Sequence, residues 1–470
     1  MSSPVVFPSR RKPLAACVGT IFALAAPISY ATTFVVTCND SGTGSLRAAV
    51  ANAVEADTVD ATALTTSSPG CSASKITLTT GDIVVNQNDL TINGPGMKNL
   101  TVTAKYSGGP GPTHQYHNRI FTHNGTGALT INDLSMSKGY VVSSAGAAKG
   151  GCIYSKASVS LRHAGVYFCG AHTTSGLALG GGIYTNGTLL VLYSNISGNT
   201  VDGGSSGIPV GGGARSRGGF NSKYSSFLAN SAQNTAHTLG LAGGVASYGS
   251  FTLIANTTIA DNNADSDIGG LQVSSSSGTV TLINSTISGN HANAFKGGVS
   301  AYAKTFNAYN STIAFNTAGS GTTMATAGWY LDGPSGATAK LESTLVANNT
   351  YGSPANNSDL GKSANVTISG HNNLVRATNA SLPADTIVGQ CPLLGPLQFN
   401  GGLTETHALF SHSPGIDVGN NTYNDIYDQC GVPYVRVSGP PGSMSPKADI
   451  GAYEVNQADI VFNNGFEGCP

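Results

Sequence analysis

Between residues 120 and 350 the apolar residues fall in short alternating bursts. Leu189, Val191 and Tyr193 form one, and Phe251, Leu253 and Ile259 another. Gly, Ser, Asn and Asp separate them, and no run keeps helical three- and four-residue spacing beyond two turns. Alternation of this length predicts short half-buried strands, and the abundance of Gly penalises helix.

Two markers beat in phase with these bursts. Gly-Gly pairs begin at Gly150, Gly181, Gly212, Gly243, Gly269 and Gly297, with a degenerate copy at Gly328. An apolar residue followed three positions later by Asn recurs at Ile196 to Asn199, Phe227 to Asn230, Ile259 to Asn262, Ile287 to Asn290, Ile313 to Asn316 and Leu345 to Asn348. Two markers sharing a period of about 30 residues predict stacked copies of one unit, and short strands at that period predict an all-β solenoid, a parallel β-helix of about 8–11 coils. A single coil cannot shield its own aliphatics. If about five per coil are buried at ~1.5–3 kcal/mol each, the gain is on the order of 10 kcal/mol before chain entropy, and it is realised only when a neighbour covers them. Gly suits sharp turns at positive φ and close backbone approach. Asn tolerates the left-handed region, and its amide can bond its counterpart one coil away. Both markers therefore read as structural.

The open ends of such an array need covering. Near the start, Ser45 is an expected N-cap for a short helix with Leu46, Ala49, Val50, Ala53 and Val54 on one face. After Asn349 the beat fades into an Asn-, Pro- and Gly-rich stretch, expected to be an irregular terminal cap. The expected organisation is a signal peptide over 1–31, an N-terminal cap and first irregular coils over 32–119, repeats over 120–350, a C-terminal cap over 351–455 and a tail over 456–470. The leader reading rests on Arg10, Arg11 and Lys12, the apolar stretch from Leu14 to Ile28, and the small-x-small site Ser29-Tyr30-Ala31. No later segment reaches the length of a membrane span. The tail, from Asp459 to Glu467, is likewise too short to span and has no assigned role.

Three stretches resemble known families. Thr33 to Thr37 leading into Asn39-Asp40-Ser41-Gly42-Thr43-Gly44-Ser45-Leu46-Arg47-Ala48-Ala49 resembles the CSLREA-type N-terminus of secreted bacterial proteins. The paired Gly and Asn markers resemble the repeats of polymorphic outer membrane proteins. Gly370-His371-Asn372-Asn373-Leu374, Leu394 to Leu397, Asn400-Gly401-Gly402, Thr406-His407-Ala408-Leu409, Ser413 to Asp417 and Asp449 to Glu454 resemble the choice-of-anchor Q domain, although Asp428-Gln429-Cys430-Gly431 stands where that family usually shows Asp-x-Arg-Gly. These resemblances imply a right-handed parallel β-helix exported to the outside or the outer-membrane surface of a Gram-negative bacterium.

Composition narrows the partners. Charged residues make up 10% of the chain and the formal net charge is −1, without a basic cluster or phosphate loop, so nucleic acid is excluded as an expected partner and glycan or cell-envelope components remain. The cysteines of the exported chain fall in neighbouring pairs, predicting bridges Cys38–Cys71, Cys152–Cys169 and Cys391–Cys430 with Cys469 left over.

Parallel β-helices often act on acidic polysaccharides, which needs a basic residue to take a proton and a cation or carboxylates around the uronate. Arg215 and Arg217 are the candidates for the base, and Asp261, Asp265 and Asp267 for a Ca²⁺ site; a solvent-facing role for the arginines and an Asx-bonded turn for the aspartates are the favoured readings. Motifs of polygalacturonase-type hydrolases, serine-hydrolase elbows and zinc helices are absent. Tyr248, Tyr302, Trp329 and Tyr330, with Tyr154 and Tyr184 matched to each other, could line up as a sugar-stacking row or stack laterally between coils. The expected function is non-catalytic adhesion or glycan and envelope interaction, with a polysaccharide lyase as the alternative.

Overall fold

A computed structural model describes residues 31–455 except 72, 106–117, 145, 320–325, 353–355 and 440–444. The expected leader, apart from Ala31, the tail and Cys469 lie outside the described residues. The chain is a β-solenoid of about 11 turns, built mostly of parallel strands and only 2% helical.

One coil shows the plan. Ile183–Thr185 and Leu189–Leu192 lie on a broad sheet, Asn195–Ser197 on a second, Thr200–Asp202 on a third, and Ile208–Val210 on a small flanking sheet before the chain enters the next coil at Ala214. The same positions stack in register. Ile153, Ile183, Ala214, Val245, Leu271, Val299, Trp329 and Leu360 follow one another up the broad sheet and are all buried. Val166, Ile196, Phe227, Ile259, Ile287, Ile313 and Val346 do the same on the second. Each inward side chain is thus covered by its counterpart one strand spacing away, the burial that no single coil could achieve.

The register refines both markers. Because Ile153 pairs with Ile183 and Val299 with Trp329, Gly151-Cys152 and Ala327-Gly328 occupy the positions of Gly181-Gly182, one residue away from the sequence reading at both ends. The pair itself is not at positive φ. That conformation belongs to the residue before it, Gly180 (φ +61°) or Gly211 (φ +76°), and Ala242 and Ile268 adopt it in later coils. What excludes a side chain within the pair is proximity: a Cβ on Gly182 would lie 3.0 Å from Cγ of Asn199 and 2.7 Å from the Gly213 carbonyl oxygen.

That asparagine belongs to a buried ladder. Asn199 Nδ2 and its backbone N–H both donate to Oδ1 of Asn230, at 2.9 and 3.0 Å, while Nδ2 also donates to the Val166 carbonyl. The pattern repeats through Asn230, Asn262, Asn290, Asn316 and Asn349. The final rung is Asn349 rather than Asn348, since Ile313 pairs with Val346; Asn348 sits at the left-handed corner just before it (φ 60°). Asp359 ends the ladder, accepting both donors of Asn349 at 2.8 Å and the Ala377 N–H on its other oxygen. Burial pushes its carboxyl up to about 6.

At the first rung a covalent bond replaces the Gly–Asn contact. Cys152 takes the Gly182 position and Cys169 the Asn199 position, and the two form a disulfide. Cys38–Cys71 is also bridged, as expected. Serine at both Cys152 and Cys169 should cost about 2–4 kcal/mol, the usual range for a native bridge. The combination Cys152→Gly with Cys169→Asn, which reinstates the pair used in later coils, should recover most of that. Urea midpoints of the two double variants test this, and equal losses would refute the equivalence.

The helix runs from Leu46 to Asn52, capped by Ser45, whose hydroxyl accepts from the Ala48 N–H. Arg47 donates to the carbonyls of Gly81 and Asp82 and pairs with Asp40, fastening the helix to the first strands. It is shorter than the apolar pattern suggests: Ala53 is the C-cap and Val54 is left 64% exposed.

The C-terminal region departs most from expectation. Leu360–Lys362, Val366–His371, Leu374–Val375 and Ile387–Val388 continue the coils. The segment from about Cys391 to Val455, apart from 440–444, then folds back along the outer face of the second sheet. Thr258 donates to the Glu405 carbonyl, Thr286 to Gln429 Oε1, and Ser343 and Thr312 accept from Asn420 and Ala452. Leu345, Ala347, Leu409 and Ile450 share an apolar cluster under it. This explains why the second-sheet strands at Thr258–Ala260, Thr286–Ser288 and Thr312–Ala314 are buried on both faces. The expected Cys391–Cys430 bridge is not formed. Cys391 is disulfide-bonded, but Cys430 is a buried free thiol, pushed up to about 12 by burial and the neighbouring Asp428.

Candidate ligand-binding face

The outward positions of the broad sheet carry the densest grouping of the sequence candidates. Because register stacks Thr122, Tyr154, Tyr184 and Arg215 in one column, side chains of like kind meet across coils. Tyr154 and Tyr184 stack with ring centroids 5.8 Å apart. Cations lie over the rings: Arg119 Cζ is 5.4 Å from the Tyr154 centroid, Lys149 Nζ 5.1 Å from that of Tyr184, and Arg215 Cζ 6.0 Å from Tyr184 and 4.6 Å from Tyr248. Tyr248 in turn donates its hydroxyl to Gln272. Leu179, Val210, Ala242 and Ala246 pack around the tyrosines where the small sheet, Gly146–Lys149, Gly176–Leu179 and Ile208–Val210, meets the broad one.

This differs from a sugar-stacking row. Tyr184 is only 1% exposed, so its ring supports the cations instead of facing solvent. Trp329 is wholly interior, because the one-residue register correction turns it inward with Val299. Tyr330 lies under Lys296, and Tyr302 stands apart, 38% exposed. Arg217, two residues beyond Arg215, is exposed. Sequence reasoning missed Arg119 and Lys149; Lys149 stands immediately before the first Gly pair, where the phase of the repeat would have placed it beside Tyr184.

The three aspartates are not gathered. Asp265 is buried and accepts from His237 and the Asn234 N–H. Asp267 pairs with Lys296 at 3.4 Å, and burial raises its carboxyl. Asp261 occupies a left-handed corner (φ 56°) at the edge of the folded-back segment. Among the described residues no group of three or more His, Cys, Asp or Glu is placed to hold a metal ion.

Asp261 does line a second cleft, of about 310 Å³, with Ser288, Phe315, Glu405 and His407. His407 Nδ1 donates to the Gly395 carbonyl at 2.7 Å, which leaves Nε2 to accept from the Ser288 hydroxyl at 2.7 Å. Burial holds the imidazole down to about 4, so it stays neutral. The pair has the proton geometry of an activated serine but not its surroundings. Adjacent backbone donors are committed, Gly289 N–H to Ala314 and Asp261 N–H to Ser288, so neither is free to hold a developing oxyanion, and burial raises the flanking Asp261 and Glu405 carboxyls. The interaction fastens the folded-back segment.

Further along that segment, Arg436 pairs with Glu454 at 2.7 Å and donates to the Gly451 and Asp449 carbonyls, all buried. Asp428 and Asp449 complete the group. Burial raises both carboxyls, that of Asp428 to about 6. Arg436 supplies a cation to this region, whereas Cys430 occupies the place where the family resemblance expects arginine.

No family model, curated protein or solved structure matches this chain. No helix among the described residues is long and apolar enough to cross a membrane.

Proposed function

We propose that this is an exported, non-catalytic β-solenoid that binds glycan or cell-envelope components through its broad sheet. The observation that carries the reading is the line of Arg119, Lys149 and Arg215 held over tyrosine rings on one outward face. Two bridged cysteine pairs fit an oxidising compartment. The apolar stretch after Arg10, Arg11 and Lys12 fits export through a leader, and the CSLREA-type, polymorphic outer membrane protein-like and choice-of-anchor Q-like stretches fit a place at or outside a bacterial surface. Against the lyase alternative, Arg215 lies on the broad sheet while Asp261 lies at a second-sheet corner beneath the folded-back segment, so a base and a carboxylate group do not converge.

A glycan panel with the purified exported chain tests this. Retention without the ultraviolet absorbance of unsaturated uronates is expected. Appearance of that absorbance would establish a lyase, and failure to retain any glycan or envelope fraction would remove the proposal.

A further inference from the structure

We infer that the ligand of the broad-sheet face is a linear polyanion, a polysaccharide bearing carboxylate or sulfate groups, lying along the solenoid axis across Arg119, Lys149 and Arg215. This rests on the binding role proposed above and specifies its chemistry. A face made for neutral sugars presents ring faces, but here Tyr184 is covered and Tyr154 and Tyr248 are half-buried beneath cations. What remains to meet a ligand is positive charge.

None of those charges is held in a contact ion pair among the described residues. Elsewhere in the molecule Arg47, Lys296, Lys340 and Arg436 each pair with a carboxylate within 3.4 Å. Among the described residues Arg119, Lys149 and Arg215 form no such pair, and Nε of Arg215 is buried with no acceptor. Asp82 acts on Arg119 from beyond contact distance while accepting from the Thr122 hydroxyl, and Arg119 Nε donates to the Lys149 carbonyl. Bracing on tyrosine limits the freedom of these long side chains, so less is lost when an anion is bound.

Geometry selects a chain over a flat surface. Arg119 precedes the strand Phe121–His123, Lys149 precedes Ile153–Ser155, and Arg215 lies two coils beyond, in register with Tyr184. At about 4.8 Å per coil the line runs roughly 14 Å along the axis. The cations are half-buried against the sheet and beside the small sheet, where Leu177 and Ile208 rise as a partly exposed edge. A single polymer strand can reach into that angle. A membrane surface is met by cations that project from the protein.

Polygalacturonate and dextran immobilised on a sensor surface, and vesicles of anionic phospholipid, supply the test. Polygalacturonate is expected to bind, with affinity falling as salt rises from 0.05 to 0.5 M (roughly 14 to 4 Å in Debye length). Arg215→Gln or Lys149→Gln should each weaken binding about three- to fivefold, and the double variant about tenfold or more, with an unchanged melting temperature. Lys75→Gln, which removes an exposed charge from the second-sheet side, serves as the control and should have no effect. Equal binding of dextran, unmoved by these substitutions, would overturn the anionic assignment and leave the binding role standing. Failure of all three probes would overturn both. Binding of vesicles in preference to the polymer would also overturn it.

Discussion

Replacing Asn262 by leucine should destabilise the solenoid by about 3–5 kcal/mol. The substitution strands the Asn230 backbone N–H and the Phe227 carbonyl in the dry interior, where each unmade bond costs about 1–3 kcal/mol. The branched side chain must also fit where a Cβ on Gly244 would already lie 3.1 Å from Asn262 Cγ, adding overpacking strain. Asn349→Leu should behave likewise, whereas Asn348→Gly, one residue earlier, should cost under about 1 kcal/mol because glycine accepts the left-handed corner readily. Denaturant midpoints for the three variants decide the matter. A loss below about 1 kcal/mol for Asn262→Leu, or a larger loss at 348 than at 349, would show that the amides are bystanders.

Arg436→Met should release the folded-back segment. Removing one partner from a buried ion pair typically costs about 3–5 kcal/mol, because the remaining charge is left in a low dielectric. Here Glu454, Asp449 and Asp428 would share a buried site without their guanidinium. The sign of the pH dependence follows from the raised carboxyls. Asp428 keeps its proton in the folded state up to about pH 6, so the stability it contributes is full at acid pH and lost as pH rises through that value. The variant's deficit should therefore be smaller at pH 5 than at pH 8. Cys430 reports the outcome directly, since its thiol is shielded only while the segment is docked. Alkylation of Cys430 at pH 8 in the variant but not the parent, with the far-ultraviolet spectrum of the coils retained, is expected. Full protection at pH 8 would rule out the cluster as the fastening.

The period, the inward apolar columns and the capped N-terminal helix could be read from the chain because each follows from local pattern. Isoleucine three residues before asparagine marks an inward strand position and the corner beyond it, whatever the rest of the molecule does. The other corner was only half legible. Its left-handed residues are Asp133, His163, Tyr193, Tyr224, Asn256, Asn284, Asn310, Ser343 and Asn372. They vary in type because what they share is a backbone angle imposed by the stack, and the signal lies one residue later, where Ser or Thr follows from Tyr193 to Ser343 and bonds from coil to coil. The folded-back segment was illegible for a different reason. Its contacts join residues such as Thr258 and Gln429, far apart in sequence, through amides and hydroxyls that occur throughout. Cysteines adjacent along the chain proved a good guide where one coil closed on itself, at Cys152 and Cys169, and a poor one for Cys391 and Cys430, in a segment without a repeat. Of the candidate site, Arg215 and the matched tyrosines were visible as types in phase. Their assembly into braced cations depended on which ring each neighbour covers, and that is a property of packing.

The asparagine chain has a direction. Every rung hands one side-chain proton and its backbone proton forward to the following oxygen, and the last oxygen belongs to Asp359, where the series stops. Such a series can gain or lose a member anywhere inside without disturbing its beginning or its terminus, so duplication of a whole coil would give a longer rod with the same two ends.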